Sequence, residues 1–587
     1  MSKERLQFSE LPMEKGYPIE KVNEIAQKEG RAKQWYRPIY TMHKWWARRL
    51  GCVFRAICLY SLLDDPSQVN IEDPGQKNGK LSDYDGNASD LQQILESVEL
   101  ENPNSLWELY PKDVTIDDRR VLDPFMGGGT SIVGAEVVGN DLNPVAWFVT
   151  KKELETGDTD IVEVEDAFKE VKENVKDDII KYYKTSCPNH DDHDADVMYY
   201  FSVKELDCVS CGHAVPLFND YRVGKARYED GKYDVCCPDC NSIIRVEDWQ
   251  SECVCDQCAN EFIPKDGNVG RGNYSCPSCG QKYGIVDAIQ EQDDFDLRFY
   301  ATEYFCPTCK ERGEDKSAVT GYKEFGKKDE ERYEAAVQEW QSRDDLDSYI
   351  PEGEIPLGIM TDSTAFEGSI GGGHNLLRHG FDEWKDLFNS RQLLCLSQLL
   401  KTIDEVENQN AKEYLLLAFG DSLRYNTQLT QYQYSRNHMG DLFSTNAFDV
   451  PQEPAENNVW GAEKGAGTFT AMYDMVLRGI KYGNSPTERY FESGETKETP
   501  PFETSVGGEF EVNQGDARSL DFDEPFDIVL TDPPYYHNII YSEISNYFYT
   551  WMRQSLKNEY ECFKPLSTPR AESIVSNPAE GKDADVH

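Results

Sequence analysis

The sequence predicts an α/β fold: a doubly wound parallel sheet interrupted by a metal-stapled insertion. Three observations carry it. A short apolar strand, Val121-Leu122, runs straight into the glycine-rich loop Asp123-Pro124-Phe125-Met126-Gly127-Gly128-Gly129-Thr130. Far downstream, the apolar run Phe526-Asp527-Ile528-Val529-Leu530 ends one residue before Asp532-Pro533-Pro534-Tyr535. Between the two lies a stretch rich in Cys-x2-Cys pairs.

In chain order, residues 1–60 read as a polar opening followed by a helix. That helix would carry a basic-aromatic cluster of Arg37, His43, Lys44, Trp45, Trp46, Arg48 and Arg49. Core tryptophans with snorkelling arginines are one reading; the wall of a ligand or nucleic-acid site is the other. Residues 61–117 are turn-rich and read as a loop-rich insertion. A βαβ unit follows over 118–160: the first strand and its loop, a helix from Ser131 to Val137, and a second strand, Val138-Gly139-Asn140-Asp141, with an acid at its tip. Charge alternation at helical spacing predicts a solvated helix over 160–185. From 187 to 310 the chain is rich in Cys, Gly, Pro and Asp, a composition expected to need metal in place of an ordinary core. Residues 311–505 are helical or irregular and a candidate target-recognition region. Within them Leu393, Leu396, Leu399, Leu400, Ile403 and Leu415 to Leu417 predict a helical pair over 391–425. Residues 506–587 form the second half of the sheet domain.

The chain has 587 residues, enough for two to four domains. Its 107 Asp and Glu against 60 Lys and Arg give a net charge of −47. The acids are spread along the whole length, which reads better as a proteome adapted to molar salt than as avoidance of nucleic acid; a halophilic archaeon is the expected source. At about 1 M salt the Debye length is about 3 Å, so this charge does not exclude a DNA substrate. No apolar run approaches the roughly 20 residues of a membrane helix, and no secretory signal is visible. The expected location is the cytoplasm, where 17 cysteines argue for metal rather than disulfides.

Asp532-Pro533-Pro534-Tyr535 suits an amino group on an aromatic ring. Such a nitrogen has its lone pair delocalised into the ring and is a poor nucleophile. A carboxylate and a carbonyl accepting its N–H bonds draw it toward tetrahedral geometry. The prolines stiffen the turn, and Tyr535 offers a stacking face worth about 1–3 kcal/mol. At the other end, the glycines let backbone approach a cofactor closely, and Asp141 is placed to bind ribose hydroxyls. The G-K-[ST] element of a phosphate loop is absent.

Five knuckles, Cys208/Cys211, Cys237/Cys240, Cys255/Cys258, Cys276/Cys279 and Cys306/Cys309, predict two or three zinc ions. Sequence neighbours suggest pairing 208/211 with 237/240 and 255/258 with 276/279. Cys306/Cys309 would then be closed by Cys187 and His190, with Cys236 and Cys253 as adjacent alternatives.

Taken together, loop, acid and tetrapeptide resemble the S-adenosyl-L-methionine-dependent amino-methyltransferases that act on DNA, with their class I doubly wound sheet. The resemblance implies cofactor contacts from Asp123, Pro124, Phe125, Gly127, Gly129, Thr130, Asp141 and Asn143. It also implies contacts from Asp516 of Gly515-Asp516-Ala517, and catalysis by Asp532, Pro533, Pro534 and Tyr535. More narrowly, His43-Lys44-Trp45-Trp46-Ala47-Arg48-Arg49, Asn140-Asp141-Leu142-Asn143-Pro144, Trp384 to Phe388, Arg391-Gln392-Leu393 and Tyr536 to Arg553 resemble a large methylase-like family found in anti-phage and restriction-type gene clusters. In it the first box, with His43 and Trp46, would flank the cofactor's methionine end as a helix. Adenine N6 is the expected target, because the tetrapeptide begins with Asp. Cytosine N4 is the first rival, an RNA or protein-glutamine amide the second, and a non-catalytic zinc-ribbon DNA-binding subunit with a methylase shell the third. The class calls for three more strands after the helix at Tyr541–Leu556. The tail offers none, so a second polypeptide is expected to complete the sheet.

Overall fold

The computed structural model describes residues 19–31, 37–62, 69–71, 79–80, 115–116, 120–130, 136–292, 295–366, 375–487, 489–492, 495–498, 500–501, 505–508, 510–534 and 539–581. The chain divides into two compact units. The first comprises Met1–Glu163, Asp474–Tyr535 and Ala571–Ile574; the second comprises Val164–Tyr473, Tyr536–Arg570 and Val575–His587. Among the described residues no helix is long and apolar enough to cross a membrane.

The first unit holds a parallel sheet of β1 (Arg120–Asp123), β2 (Glu136–Asp141), β3 (Phe510–Gln514) and β4 (Ile528–Val529). Their spatial order is β3-β2-β1-β4. Val121 is the pivot of the register, opposite Val137 on one side and Ile528 on the other. The order therefore reverses between β1 and β4, and in open α/β sheets the crevice at the strands' carboxyl ends beside such a reversal is where ligands bind. Val121, Met126, Val137 and Leu154 form the core, with Val512, Ile528 and Leu530 packed against them. Among the described residues, α1 (Ile19–Arg31), α2 (Gly51–Leu62) and α3 (Pro144–Leu154) lie wholly in this unit, and the helix Phe469–Asn484 enters it from Asp474 on. Trp147 of α3 donates its indole N–H to the Val512 carbonyl (3.2 Å), tying α3 to β3. Among the described residues no strand pairs with the outer side of β4, where Val529 is 58% exposed.

Two expectations are corrected in this unit. The strand after the glycine loop begins at Glu136, so the helix expected from Ser131 to Val137 gives way to sheet at its last two residues; 131–135 lie outside the described residues. The box His43–Arg49 is a turn between a short 3-10 segment, Pro38–Thr41, and α2, not part of a helix. Most of the insertion at 61–117 lies outside the described residues.

The second unit is built on two long antiparallel strands, Asp194–Asp207 and Asp296–Phe305, at the heart of a six-stranded sheet. Tyr199, Phe201, Tyr300, Tyr304 and Phe305 pack into its core. The expectation that 187–310 lacks an ordinary core is therefore wrong. Much of its apolar surface is carried by aromatic rings, which a tally of aliphatic residues undercounts. The helical pair is present as Ser390–Asp404 and Gln409–Leu423. Arg391, fully buried, donates Nε and Nη2 to the two oxygens of Glu456 (2.7 and 2.8 Å). The helix Asn546–Leu556, expected to serve the first sheet, belongs to this second unit. Its Tyr547 hydroxyl donates to the Leu423 carbonyl (2.7 Å), and the Tyr547 ring stacks on Phe388. The weakly patterned stretch 430–508 contains a 16-residue helix, Phe469–Asn484.

Candidate functional site

At the carboxyl end of β1 the loop 123–130 folds on itself. Asp123 accepts the Phe125 N–H (3.0 Å), and the Gly129 N–H donates to the Met126 carbonyl (2.9 Å). Gly127 and Gly129 sit at φ +51° and +75°, a backbone region that disfavours side chains. Thr130 is buried at the end of the loop. Asn140 of β2 donates its amide to the carbonyls of Pro124 (3.3 Å) and Gly515 (3.0 Å), joining the turns after β1 and β3.

Asp141, at the tip of β2, accepts the Gly127 N–H at Oδ2 (2.9 Å) and the Asn143 N–H at Oδ1 (2.8 Å). Burial pushes its carboxyl up to about 6, against the pull of those two N–H groups. Asn143 caps α3, its side-chain oxygen accepting from Val145 N (3.0 Å). At the end of β3, Asp516 accepts the Arg518 N–H (2.9 Å) and pairs with Arg518 Nη2 (2.5 Å). The guanidinium holds this carboxyl below its ordinary range.

The box 43–49 reaches both loops that flank the reversal. Arg48 Nη1 donates to the Gly128 carbonyl (2.7 Å) and to both oxygens of Glu153 (2.8 and 2.9 Å), in a pair that is almost wholly buried. Burial raises the Glu153 carboxyl to about 7 although Arg48 opposes the shift. Arg49 Nε donates to Asp532 Oδ2 at 2.5 Å on the other side. A Cβ at Gly127 would lie 2.9 Å from the Trp45 indole nitrogen, at Gly128 2.8 Å from the Arg48 guanidinium carbon, and at Gly129 2.8 Å from a Thr150 methyl. The glycines thus let the chain's own box and α3 approach the loop backbone closely. Trp46 is fully buried, with its ring centroid 5.5 Å from that of Trp45, and His43 is buried with Nδ1 2.9 Å from the Lys44 carbonyl.

Pro533 and Pro534 follow Asp532 beyond β4, Pro533 exposed. Tyr535 lies outside the described residues. Of the expected site residues, those that follow β1, β2, β3 and β4 gather at the carboxyl ends of the four strands. Carboxylates stand at the tip of β2 and after β3 and β4, an acceptor set suited to hydroxyls and amines; Asp141 keeps lone-pair sites beyond the two in use. Glu153 was not singled out in the sequence, and Arg49 only as a member of the basic-aromatic cluster. The i to i+105 separation of Arg48 and Glu153 leaves no local signal, whereas Arg49 already stood out as a cation in an acidic chain.

The second unit gathers cysteines into three groups that can hold metal ions: Cys208, Cys211, Cys276, Cys279; Cys237, Cys240, Cys255, Cys258; and Cys187, His193, Cys306, Cys309. Facing sulfurs are 3.6–3.7 Å apart. This is close to the edge of about 3.8 Å in a tetrahedron with 2.3 Å zinc–sulfur bonds, and far too long for a disulfide. The geometry fits zinc. The pairing of sequence neighbours is corrected: the ribbons nest, with 237–258 inserted between the knuckles 208/211 and 276/279.

Each of these four knuckles has the same backbone. Cys237 N donates to the Ser242 carbonyl and Asn241 N to the Cys237 carbonyl (both 2.9 Å), with equivalent bonds at Cys208, Cys255 and Cys276. The residue after the second cysteine is left-handed at every knuckle: Gly212, Asn241, Ala259 and Gly280.

In the third group His193 takes the place expected for His190. Its Nε2 is 3.1 Å from Cys306 Sγ and 3.5 Å from Cys309 Sγ. Its Nδ1 meets Asp192 Oδ1 at 2.7 Å, and Arg312 holds Asp192 (2.7 Å). A carboxylate on one ring nitrogen leaves the lone pair of the other for metal. His190 instead meets Glu314 (2.7 Å), in a neighbouring group with Cys309. Cys236 turns its thiol toward the carbonyls of Cys237 and Asn241 and joins no group.

Residues 16–85 match a family described as a protein of unknown function (DUF1156). No curated protein and no solved structure matches the chain.

Proposed function

We propose that the first unit is a class I S-adenosylmethionine-dependent methyltransferase domain acting on an exocyclic amine of DNA, most favourably adenine N6. One observation carries the reading. The glycine loop and the Asp-Pro-Pro turn end adjacent parallel strands, β1 and β4, on the two sides of the order reversal. That is where such a sheet presents a crevice.

Bound there, the cofactor supplies an electrophilic methyl group on a sulfonium. Asp141 accepts ribose hydroxyls at its remaining lone pairs while it holds Gly127, and Asp516 serves the adenine end. Asp532 accepts an N–H of the target amine and the Pro533 carbonyl accepts another, which frees the nitrogen lone pair for direct displacement. Tyr535 gives the target base a stacking face. A base inside a duplex must be flipped out to reach such a site. The ribbons act as zinc-dependent staples of the second unit. Among the described residues no strand covers the outer side of β4, where Val529 is exposed, and a second polypeptide would pair there.

A second reading has its own support. Asp516 and Asp532 both pair with arginines of this chain, as in a DNA-binding subunit that keeps a methylase shell without turnover. Incubation with methyl-labelled cofactor and plasmid DNA in molar KCl, followed by digestion to nucleosides, decides between them. Label is expected in N6-methyladenine. Asp532→Ala should keep cofactor affinity and lose about 10²–10³ in rate. Label in N4-methylcytosine would move the target; cofactor binding with no label in DNA would favour the second reading.

A further inference from the structure

Arg48 and Arg49 are neighbours with opposite fates. Arg48 is sealed between Gly128 and Glu153, its side chain 6% exposed. Arg49 keeps 42% of its side chain exposed and reaches across to Asp532, itself only 25% exposed. Ala47 just before them is left-handed at φ +51°. A non-glycine residue there is strained, a feature that clusters at functional sites. Its turn separates the buried Trp45 and Trp46 from the two arginines and directs one to each lip of the crevice.

The lower lip is fixed by Arg48. At the upper, Arg49 Nε meets Asp532 Oδ2 from a half-exposed guanidinium, and exposed pairs of this kind contribute little to stability. Yet the oxygen it occupies belongs to the carboxylate that an incoming amine needs. Opening that acceptor requires another anion for Arg49. The guanidinium fork matches phosphate as well as carboxylate, and a nucleic-acid strand brings phosphates on both sides of any base it presents.

We propose that Arg49 is a phosphate-exchange residue: it rests on Asp532 and transfers to a backbone phosphate flanking the target base, so that the amine acceptor opens for a base carried on a strand. This rests on the methyltransferase reading above and deepens it. It names the substrate class as a phosphodiester strand, not a free nucleoside or a protein amide. Arg49 also couples binding to site opening, since the same side chain performs both.

The test uses the full chain in KCl, labelled cofactor, and three substrates. These are a single-stranded oligonucleotide with one target base, the same strand with a neutral methylphosphonate beside that base, and the free nucleoside. For the wild type, kcat/KM should fall about tenfold on the methylphosphonate strand, the worth of one charge-assisted contact. Arg49→Ala should lose about tenfold on the ordinary strand, become indifferent to the methylphosphonate, and gain about threefold on the free nucleoside as Asp532 no longer shares Oδ2 with a guanidinium. Binding of a fluorescent oligonucleotide without cofactor gives a second readout: the slope of log K against log salt should shrink by about one in Arg49→Ala. Arg49→Lys should retain the salt slope. Equal losses on all three substrates, or an unchanged slope with continued methylphosphonate sensitivity, would overturn the exchange while leaving the methyltransferase reading intact. No transfer by the wild type on any substrate would overturn both.

Discussion

Asp141 Oδ2 accepts the N–H of Gly127 at 2.9 Å, and its Oδ1 accepts that of Asn143 at 2.8 Å. One carboxylate at the tip of β2 thereby fixes the loop after β1 and the first turn of α3. The sequence suggested an acid for a ribose; the structure adds that the acid is also the clasp of the loop.

Asp141→Ala should therefore do two things. Gly127 and Asn143 lose a shared acceptor, a destabilisation of about 1–3 kcal/mol, and calorimetry should find no S-adenosylmethionine binding. The pH dependence has a definite sign. The folded carboxyl is raised from 3.8 to about 6, so the fold favours its protonated form. The contribution is full below about pH 4 and is lost as pH rises through about 6. Asp141→Asn should flatten that part of the stability profile. Unchanged cofactor affinity in Asp141→Ala would remove this residue from the binding site.

The metal centres predict three zinc ions per chain by elemental analysis. His193→Ala should retain two and His190→Ala all three, because Asp192 aims His193, not His190, at Cys306. A strong chelator should loosen residues 187–310 first. Loss of a zinc ion in His190→Ala but not in His193→Ala would reverse the ligand assignment.

What was legible in the sequence follows from range. The Cys-x2-Cys knuckles are local, so their existence could be read. Their partners could not, because 208/211 closes with 276/279 over 65 residues or more. The strands on either side of the reversal were readable because each ends in a distinctive loop. The box 43–49 was misread as helical since its aromatic and basic residues suit a helix face; the left-handed Ala47 that breaks it has no composition signal. The helix Asn546–Leu556 was found, but its allegiance was not. Tyr547, Phe548 and Trp551 fall at core spacing whichever core receives them, and they pack with Phe388, Phe419 and Phe443.

The net charge of −47 predicts a salt requirement for folding. Self-repulsion among carboxylates destabilises the compact state at low ionic strength, and screening at about 1 M shortens its reach to about 3 Å. Circular dichroism should show a melting midpoint that climbs steeply from low to molar KCl. Equal midpoints at both salts would contradict the halophilic reading.

Lys204 carries the last prediction. It is 1% exposed on the long strand Asp194–Asp207. Its Nζ lies 4.0 Å from the Phe295 ring centroid and 5.3 Å from that of Phe381. Its polar neighbour is His379 Nδ1 at 3.4 Å. Burial lowers the amine to about 7, and burial together with Lys204 and Arg378 lowers His379 to about 3, so the imidazole stays neutral and can accept. Between about pH 7 and 10.5 the unfolded chain holds a proton that the folded chain lacks, so stability should rise with pH across that window. Below pH 7 the charged amine sits among rings that offset only part of its desolvation. Lys204→Met keeps the stem's volume without the charge. It should stabilise the chain by about 2 kcal/mol near pH 6.5, with the gain shrinking toward pH 9.5. Denaturation followed by tryptophan fluorescence at fixed KCl measures both arms. A variant that is less stable than the wild type by the same amount at every pH would show instead that the bond to His379 outweighs the cost of burying the amine.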